Sequence, residues 1–146
     1  MSDARNFFTE DEQIKIIKSI QEAEKTTSGE IRLHLENHCG KKGAFERAKE
    51  LFGKLKMDQT ELRNGVLIYL AVKDHQFAII GDKGINELSP GDFWENVRDL
   101  MQEKFKESKF LEGITKGIEL AGKELQQDFP YQRDDKNELS DDISFQ

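Results

Sequence analysis

Apolar residues are concentrated in two short runs near the middle of the chain, 66–72 and 77–80, which are rich in β-branched side chains and almost uninterrupted. Runs of this kind are typical of strands that are covered on both faces. The polar residues 73–76 between the runs favour an antiparallel hairpin. We therefore predict that the two strands pair and form the centre of a sheet.

The chain before this hairpin contains one helical pattern and one strand pattern. Thr9 and Glu12 have the spacing of a capping box, and an apolar stripe with a spacing of three starts at Ile14, so we predict an amphipathic helix over 10–25. Residues 30–36 alternate polar and apolar side chains with a period of two. This alternation predicts a strand, which we place nearer an edge of the sheet.

Three further segments carry apolar residues at helical spacing, namely 44–55, 93–105 and 110–129. The last of them contains Gly113 and Gly117, which lower its helix propensity. Because these two glycines are four residues apart, we expect them to lie on one face of the helix and to permit close packing against a neighbour.

Helices that precede, separate and follow the strands predict an α/β fold, a three-layer α/β/α sandwich with a central mixed sheet of about four strands. At 146 residues the chain has room for one such domain, which we place at 1–130. Residues 131–146 change to Asp, Asn, Ser and Lys with no sustained period. We expect this segment to be an acidic, disordered tail.

The charge of the chain limits the classes of partner. The net charge of −7 argues against a binder of duplex nucleic acid, since neutralising phosphates requires a basic face. No window approaches the roughly 20 apolar residues of a membrane span, and the first residues lack a signal-peptide core. We therefore expect a cytoplasmic, monomeric protein. A single cysteine, Cys39, excludes an intramolecular disulfide and a cysteine-rich zinc site.

The candidate chemistry lies in the glycine-containing loops at the two outer ends of the hairpin. These loops do not contain a P-loop, a G-x-G-x-x-G pattern or a G-x-S-x-G pattern. They are rich in oxygen donors, which hard cations such as calcium prefer. The candidates are Asn64, Asp82, Asn86, Glu87 and Asp92 in these loops, together with Glu30, which follows a glycine at the start of the first strand. The alternative is that the same side chains form ordinary turn and cap hydrogen bonds.

Four short motifs together resemble the TPM domain family, often called TPM phosphatase, in a stand-alone bacterial form. The resemblance covers about 7–130, and the motifs are 27–31 (TSGEI), 63–68 (RNGVLI), 81–85 (GDKGI) and 92–94 (DFW). It implies an α/β/α sandwich with a mixed sheet and a pair of crossing loops at one end. Many members carry a signal peptide and a membrane helix, and this chain has neither pattern.

The resemblance also implies function. It implies binding of a divalent ion at the crossing loops, chiefly calcium, with magnesium or manganese as alternatives, and an acid phosphatase activity is assigned to some plant relatives. The positions that match the polar residues of the crossing loops are Asn64, Asp82, Glu87 and Asp92, and Glu30 follows the first helix at a place where the fold could bring it near.

Three hypotheses follow for the function. The first is a non-enzymatic module in which a metal ion ties the loop of Asn64 to the loop of Asp82. The second is a metal-dependent phosphomonoesterase, in which Arg63 and Lys83 would hold the phosphate, although no nucleophile is recognisable. The third is an interaction module for an unknown protein partner, with Phe93 and Trp94 as an exposed aromatic anchor beside the loops. The alternative is that both are core residues at the start of a helix.

Overall fold

The computed structural model describes residues 3–88, 93–131 and 141–145. In chain order the helices and strands are α1 (Glu10–Glu24), β1 (Glu30–Glu36), α2 (Gly43–Lys54), β2 (Gly65–Ala71), β3 (Gln76–Gly81), α3 (Lys83–Leu88), α4 (Phe93–Lys106), α5 (Phe110–Asp128) and β4 (Ser144–Phe145). Two short 3-10 helices, Ala4–Asn6 and Met57–Gln59, add to these elements.

The first helix begins as its capping box predicts. The Thr9 hydroxyl accepts a hydrogen bond from the backbone N–H of Glu12, and the Glu12 carboxylate accepts one from the backbone N–H of Thr9. The buried stripe differs from the prediction, because Ile16 is fully buried while Ile14 is 63% exposed. A spacing of three falls short of the 3.6 residues of a helical turn, so the stripe begins off the core-facing side at Ile14 and reaches it at Ile20 and Ala23.

The four strands form one sheet in the order β3-β2-β1-β4. The β2–β3 pair is antiparallel, as the hairpin predicted, whereas β1 runs parallel to both β2 and β4. The prediction of a mixed, four-stranded sheet is therefore confirmed. The predicted positions of two strands are wrong, because β1 lies inside the sheet and β3 lies at its edge.

Helices cover both faces of this sheet, which confirms the three-layer sandwich. On one face α1, α4 and α5 pack over the larger core, which includes Leu33, Ile68 and Ile118. On the other face α2 and the second 3-10 helix pack over a smaller core around Leu67 and Tyr69. Within the described residues, none of the helices combines the length and the apolarity needed to cross a bilayer.

Glycines permit the close approach of α5 to its neighbours, as their spacing predicted. A Cβ atom added to Gly117 would lie 2.7 Å from Met101 Sδ of α4, and one added to Gly113 would lie 2.6 Å from the ring of Phe105. A side chain at either position would displace Met101 or Phe105 from its present packing, so these glycines permit the close contact between α4 and α5.

The last described segment joins the sheet. Ser144 pairs with His34 and Phe145 pairs with Leu35, in parallel register along the outer side of β1. At these residues the structure differs from the disordered tail expected for 131–146, because a two-residue strand can close the open side of β1 without a long apolar run. The segment 132–140 of that expected tail lies outside the described residues.

Candidate functional site

Three of the six candidate metal ligands, Glu30, Asn64 and Asp82, come together at one end of the sheet. The Glu30 N–H donates to the Asn64 carbonyl at 3.2 Å, and the Asp82 N–H donates to the Gly65 carbonyl at 2.9 Å. All three side chains are buried. The start of β1, the loop before β2 and the loop after β3 therefore form one polar region at this end of the sheet.

The two loops cross at Gly84. The Gly84 N–H donates to the Arg63 carbonyl at 2.9 Å, and a Cβ added to Gly84 would lie 2.7 Å from that same oxygen and closer still to the Leu62 carbonyl. Because backbone atoms cannot move aside as a flexible side chain can, only glycine fits at position 84 without separating the loops.

The Asp82 carboxylate is the central group of these crossing loops. It is 5% exposed, and Arg63 holds both of its oxygens, with Nε 2.8 Å from Oδ2 and Nη2 2.9 Å from Oδ1. The hydrogen bonds that Arg63 donates to Asp82 raise the pKa of the guanidinium above its usual value. A buried negative charge is thus neutralised by one partly exposed cation.

Asp82 also begins a helix where the sequence predicted a loop. Its Oδ1 accepts a hydrogen bond from the Lys83 N–H at 2.7 Å, and its carbonyl accepts from the N–H groups of Ile85 and Asn86. A carboxylate in this position satisfies the free donors of a first helical turn. The short helix α3 therefore follows from Asp82, whose capping role the motif alone did not reveal.

The remaining candidate ligands are placed differently. Glu87 is mostly exposed on α3, and its Oε1 lies 3.9 Å from Lys83 Nζ. The Asn86 amide donates to the Gly81 carbonyl, as a turn residue would. Asp92 lies outside the described residues. Asn64 donates from its side chain to the Ser28 hydroxyl at 3.4 Å, which ties its loop to the segment that precedes β1.

The oxygen donors at this end of the sheet are of the type that a hard cation binds, but they are not arranged as a coordination shell. Carboxylate and amide oxygens are the ligands that calcium takes, usually six to eight of them. Among residues 3–88, 93–131 and 141–145, however, no three His, Cys, Asp or Glu side chains are grouped closely enough to hold an ion. Both Asp82 oxygens are bonded to Arg63 as well, so the loops would have to rearrange before Asp82 could bind a metal.

Comparison with known proteins identifies the family to which this fold belongs. The TPM domain family matches residues 1–124. The chain belongs to the TPM domain family. Among solved structures, the NMR structure of the BA42 protein from the psychrophilic bacterium Bizionia argentinensis is similar to this TPM domain, with 47% sequence identity, a TM-score of 0.92 and 100% of each chain covered. A comparison with curated proteins found no match.

The aromatic residue next to the crossing loops is part of the packing of this TPM domain. The Trp94 ring lies over Gly81 at the end of β3, where a Cβ atom would lie 3.0 Å or less from two carbons of the ring. Trp94 also packs against the larger core. The side chain of Phe93 lies outside the described residues. For Trp94 the packing therefore supports the alternative of a core residue, which covers the end of the sheet.

A second polar cluster lies between β1 and α2, and sequence reasoning missed it. Arg47 of α2 donates from Nε and Nη2 to the two oxygens of Glu36, each at 2.8 Å, and the Tyr69 hydroxyl donates to Glu36 Oε1 at 2.7 Å. Although burial raises the pKa of Glu36, these bonds from Arg47 and Tyr69 hold it below its usual value. The polar face of β1 can therefore be buried inside the sheet.

His34 lies beside this cluster and is 1% exposed. Its Nδ1 is 2.7 Å from the Ser144 hydroxyl of β4, while its Nε2 makes no hydrogen bond among the described residues and lies 3.8 Å from Glu36 Oε2. Burial lowers the pKa of His34 to about 4, and the positive charges of Arg47 and Arg32 act in the same direction. His34 is thus a neutral link between the interior and the last strand.

Carboxyl groups also gather near the start of β1. The Ile31 N–H donates to Glu24 Oε2 at 3.0 Å, and the side chains of Glu24 and Asp141 are hydrogen-bonded. Burial, the bond with Asp141 and the nearby charge of Glu30 raise the pKa of Glu24 to about 10. Two carboxyl groups can share a hydrogen bond only through a proton, and the raised pKa of Glu24 assigns that proton to Glu24.

Proposed function

We propose that this TPM domain is a metal-responsive module that binds a divalent cation between the loop of Asn64 and the loop of Asp82. The observation that carries the proposal is the buried Asp82 carboxylate, which forms a salt bridge with a side chain, Arg63, that is itself 43% exposed. A cation that replaced Arg63 would neutralise the same charge and would change the surface that the loops present to a protein partner.

The backbone of Arg63 is suited to such an exchange. Its φ of 51° is in the left-handed region, which costs roughly 1–2 kcal/mol for a residue with a Cβ atom. Release of the guanidinium from Asp82 would let this residue leave the strained conformation. The same step would free both oxygens of Asp82, so binding of the ion and reorganisation of the loop would be one event.

Calcium is the ion that we propose, with magnesium and manganese as alternatives. Glu30, Asn64 and Asp82 offer oxygen donors at one end of the sheet, and Glu87 and Asp92 complete the proposed ligand set. Calcium tolerates irregular sets of six to eight oxygens, whereas magnesium requires a near-octahedral site. An irregular set of oxygen donors from two crossing loops therefore suits calcium better than magnesium.

Calorimetric titration of metal-stripped protein with calcium tests the proposal. Asp82→Asn should lower the affinity at least about tenfold, since it removes the charged ligand. Arg63→Gln should raise the affinity, because Asp82 would lose its competing partner. Asp74→Asn, a matched change in a carboxylate at the other end of β3, should leave the affinity unchanged.

Two results would contradict this assignment. One is an affinity that is the same in the unchanged protein and in Asp82→Asn, which would move the ion elsewhere. The other is the absence of heat with calcium, magnesium and manganese alike, which would leave these side chains as turn and cap residues. A weaker affinity in Arg63→Gln would show that Arg63 supports the site and does not compete for it.

The phosphatase alternative gains no specific support from the geometry. The two cations assigned to phosphate binding are both paired, Arg63 with Asp82 and Lys83 more loosely with Glu87. Release of inorganic phosphate from a phosphomonoester by the purified protein with calcium or magnesium, lost in Asp82→Asn, would favour this alternative. The cytoplasmic location and the monomeric state stay predictions from the sequence.

A further inference from the structure

The outer edge of β3 has no further strand beside it in the part of the chain that the structure describes. β3 is the last strand on its side, and among the described residues the backbone groups of 76–80 make no hydrogen bond outside the β2–β3 ladder. In an antiparallel pair, alternate residues of an edge strand direct their N–H and C=O groups away from the partner. These groups are available to a further strand.

Among the described residues, the end of this edge near the crossing loops is covered. The Trp94 ring lies against Gly81, at the end near the crossing loops. Towards the other end the side chains remain accessible, with Gln76 exposed and Phe77, Ile79 and Ile80 half-buried. The open stretch is therefore about as long as a short added strand. Its side chains are more apolar than those of an edge strand that faces only water.

A cavity adjoins the open stretch on each side of the sheet. On the α4–α5 side, a cavity of about 300 Å³ is lined by Leu70, Phe77, Phe105 and Phe110, together with His75, Gln102 and Lys106. On the α2 side, a groove of about 490 Å³ reaches across the edge to α4 and is lined by Lys42, Phe45, Gln76, Arg98 and Gln102 among others. Side chains of an added strand would alternate between these two spaces.

The charges around the edge favour an acidic occupant. No carboxylate of the described chain lines either cavity, although the whole protein has a net charge of −7. Arg98 and Lys106 stand on α4 with no ion pair among the described residues, while Lys42 is paired with Glu50. A second copy of this chain would bring the same cations against each other, so charge complementarity favours a different partner.

We propose that the outer edge of β3 binds an extended acidic segment of another protein, which adds to the sheet as a fifth strand. Apolar side chains of the segment enter the cavity of Phe77, Phe105 and Phe110. Acidic side chains on its other face approach Arg98 in the groove beside α2. Main-chain hydrogen bonds supply affinity, and the alternation of apolar and acidic side chains supplies specificity. This binding does not depend on a metal at the crossing loops.

Titration of the ¹⁵N-labelled full chain with the synthetic peptide acetyl-Asp-Val-Asp-Leu-Asp-Val-Asp-amide tests the proposal, in EDTA and again in calcium. We expect amide shifts concentrated in 76–80 and in α4, with a dissociation constant on the order of 10⁻⁴ M in both buffers. The same peptide with alternate backbone nitrogens methylated should not bind, since it cannot complete a ladder.

Charge reversal provides the matched variants. Arg98→Glu with Lys106→Glu should weaken binding at least about tenfold, because both exposed residues flank the edge. Lys116→Glu with Lys123→Glu, which removes two lysines of a groove between α1 and α5 that make no ion pair within the described chain, should leave binding unchanged. Circular dichroism of each variant checks that the fold is retained.

Several outcomes would overturn the proposal. These are the absence of binding at millimolar peptide, equal binding of the methylated peptide, shifts centred on the α1–α5 groove, or an equal loss in both charge-reversed pairs. Sedimentation that shows a dimer of the free protein, abolished by the Arg98→Glu and Lys106→Glu changes, would assign the edge to a second copy and would also overturn it.

Discussion

Replacement of His34 by glutamine should remove an acid-sensitive component of stability. His34 is buried beside two cations, Arg32 and Arg47, and its pKa is about 4 in the folded chain against an ordinary value of 6.5. Between these two values the unfolded chain binds a proton that the folded chain does not. Stability from this residue is therefore present above pH 6.5 and is lost as the pH falls towards 4.

The size of the effect follows from the shift. Each unit of pKa corresponds to about 1.4 kcal/mol, so a fall from 6.5 to about 4 corresponds to a loss of about 3 kcal/mol at the acid end of the interval. His34→Gln retains a group that can bond Ser144 and cannot ionise. The free energy of unfolding of this variant should thus depend less on pH than that of the unchanged protein.

Urea unfolding at pH values between 6.5 and 4, followed by circular dichroism and by the fluorescence of Trp94, measures the difference. His75→Gln is the matched control, since His75 is exposed and the same substitution there should leave the pH dependence unchanged. If the stability curves of the unchanged protein and His34→Gln run parallel to within about 0.5 kcal/mol, burial does not keep His34 neutral and the reasoning is refuted.

Two further predictions concern Glu24 and the helix glycines. Because the pKa of Glu24 rises from 4.5 to about 10, stability from its proton is lost as the pH increases through that interval, and Glu24→Gln should be the more stable form at high pH in metal-free buffer. Gly122→Ala should lower the free energy of unfolding by about 1–2 kcal/mol, since its Cβ would lie 2.9 Å from that of Ala23. Gly53→Ala should raise it by about 0.5–1 kcal/mol, because no atom of the described chain beyond its own helical turn lies within 4 Å of that position.

Urea titrations measure all three variants. For Glu24 the informative comparison is the difference between variant and parent at several pH values, and a difference that does not change with pH would contradict the prediction. For the glycines the two substitutions are each other's control. Equal effects at Gly122 and Gly53 would mean that helix propensity, and not the contact with Ala23, determines the result.

Local patterns predicted most of the elements because their causes are local. The capping box of Thr9 needs only residues three apart, and the hairpin of β2 and β3 needs only two apolar runs and a short joint. The position of β1 depends on distant residues. Its polar face is buried because Arg47 and Tyr69 bond to Glu36, and neither partner can be identified from the alternation of 30–36 alone.

The polar end of the sheet was predicted in location but not in arrangement. The glycines and the hairpin indicated that Asn64 and Asp82 would lie close together, because the outer ends of a hairpin meet. The pairing of Arg63 with Asp82 could not be predicted, since it requires Arg63 to adopt a left-handed backbone conformation. The helix that Asp82 caps was missed for a similar reason, because its first turn contains a glycine, which disfavours a helix.

The contact between β4 and β1 affects how the protein folds during synthesis. The bond between His34 and Ser144 joins residues 110 positions apart, and contacts of such long sequence separation form late. While the ribosome is still adding the intervening residues, one side of β1 has no partner and is open to wrong pairing or to a chaperone. The nascent chain can therefore complete its sheet only after residues 144 and 145 have left the exit tunnel.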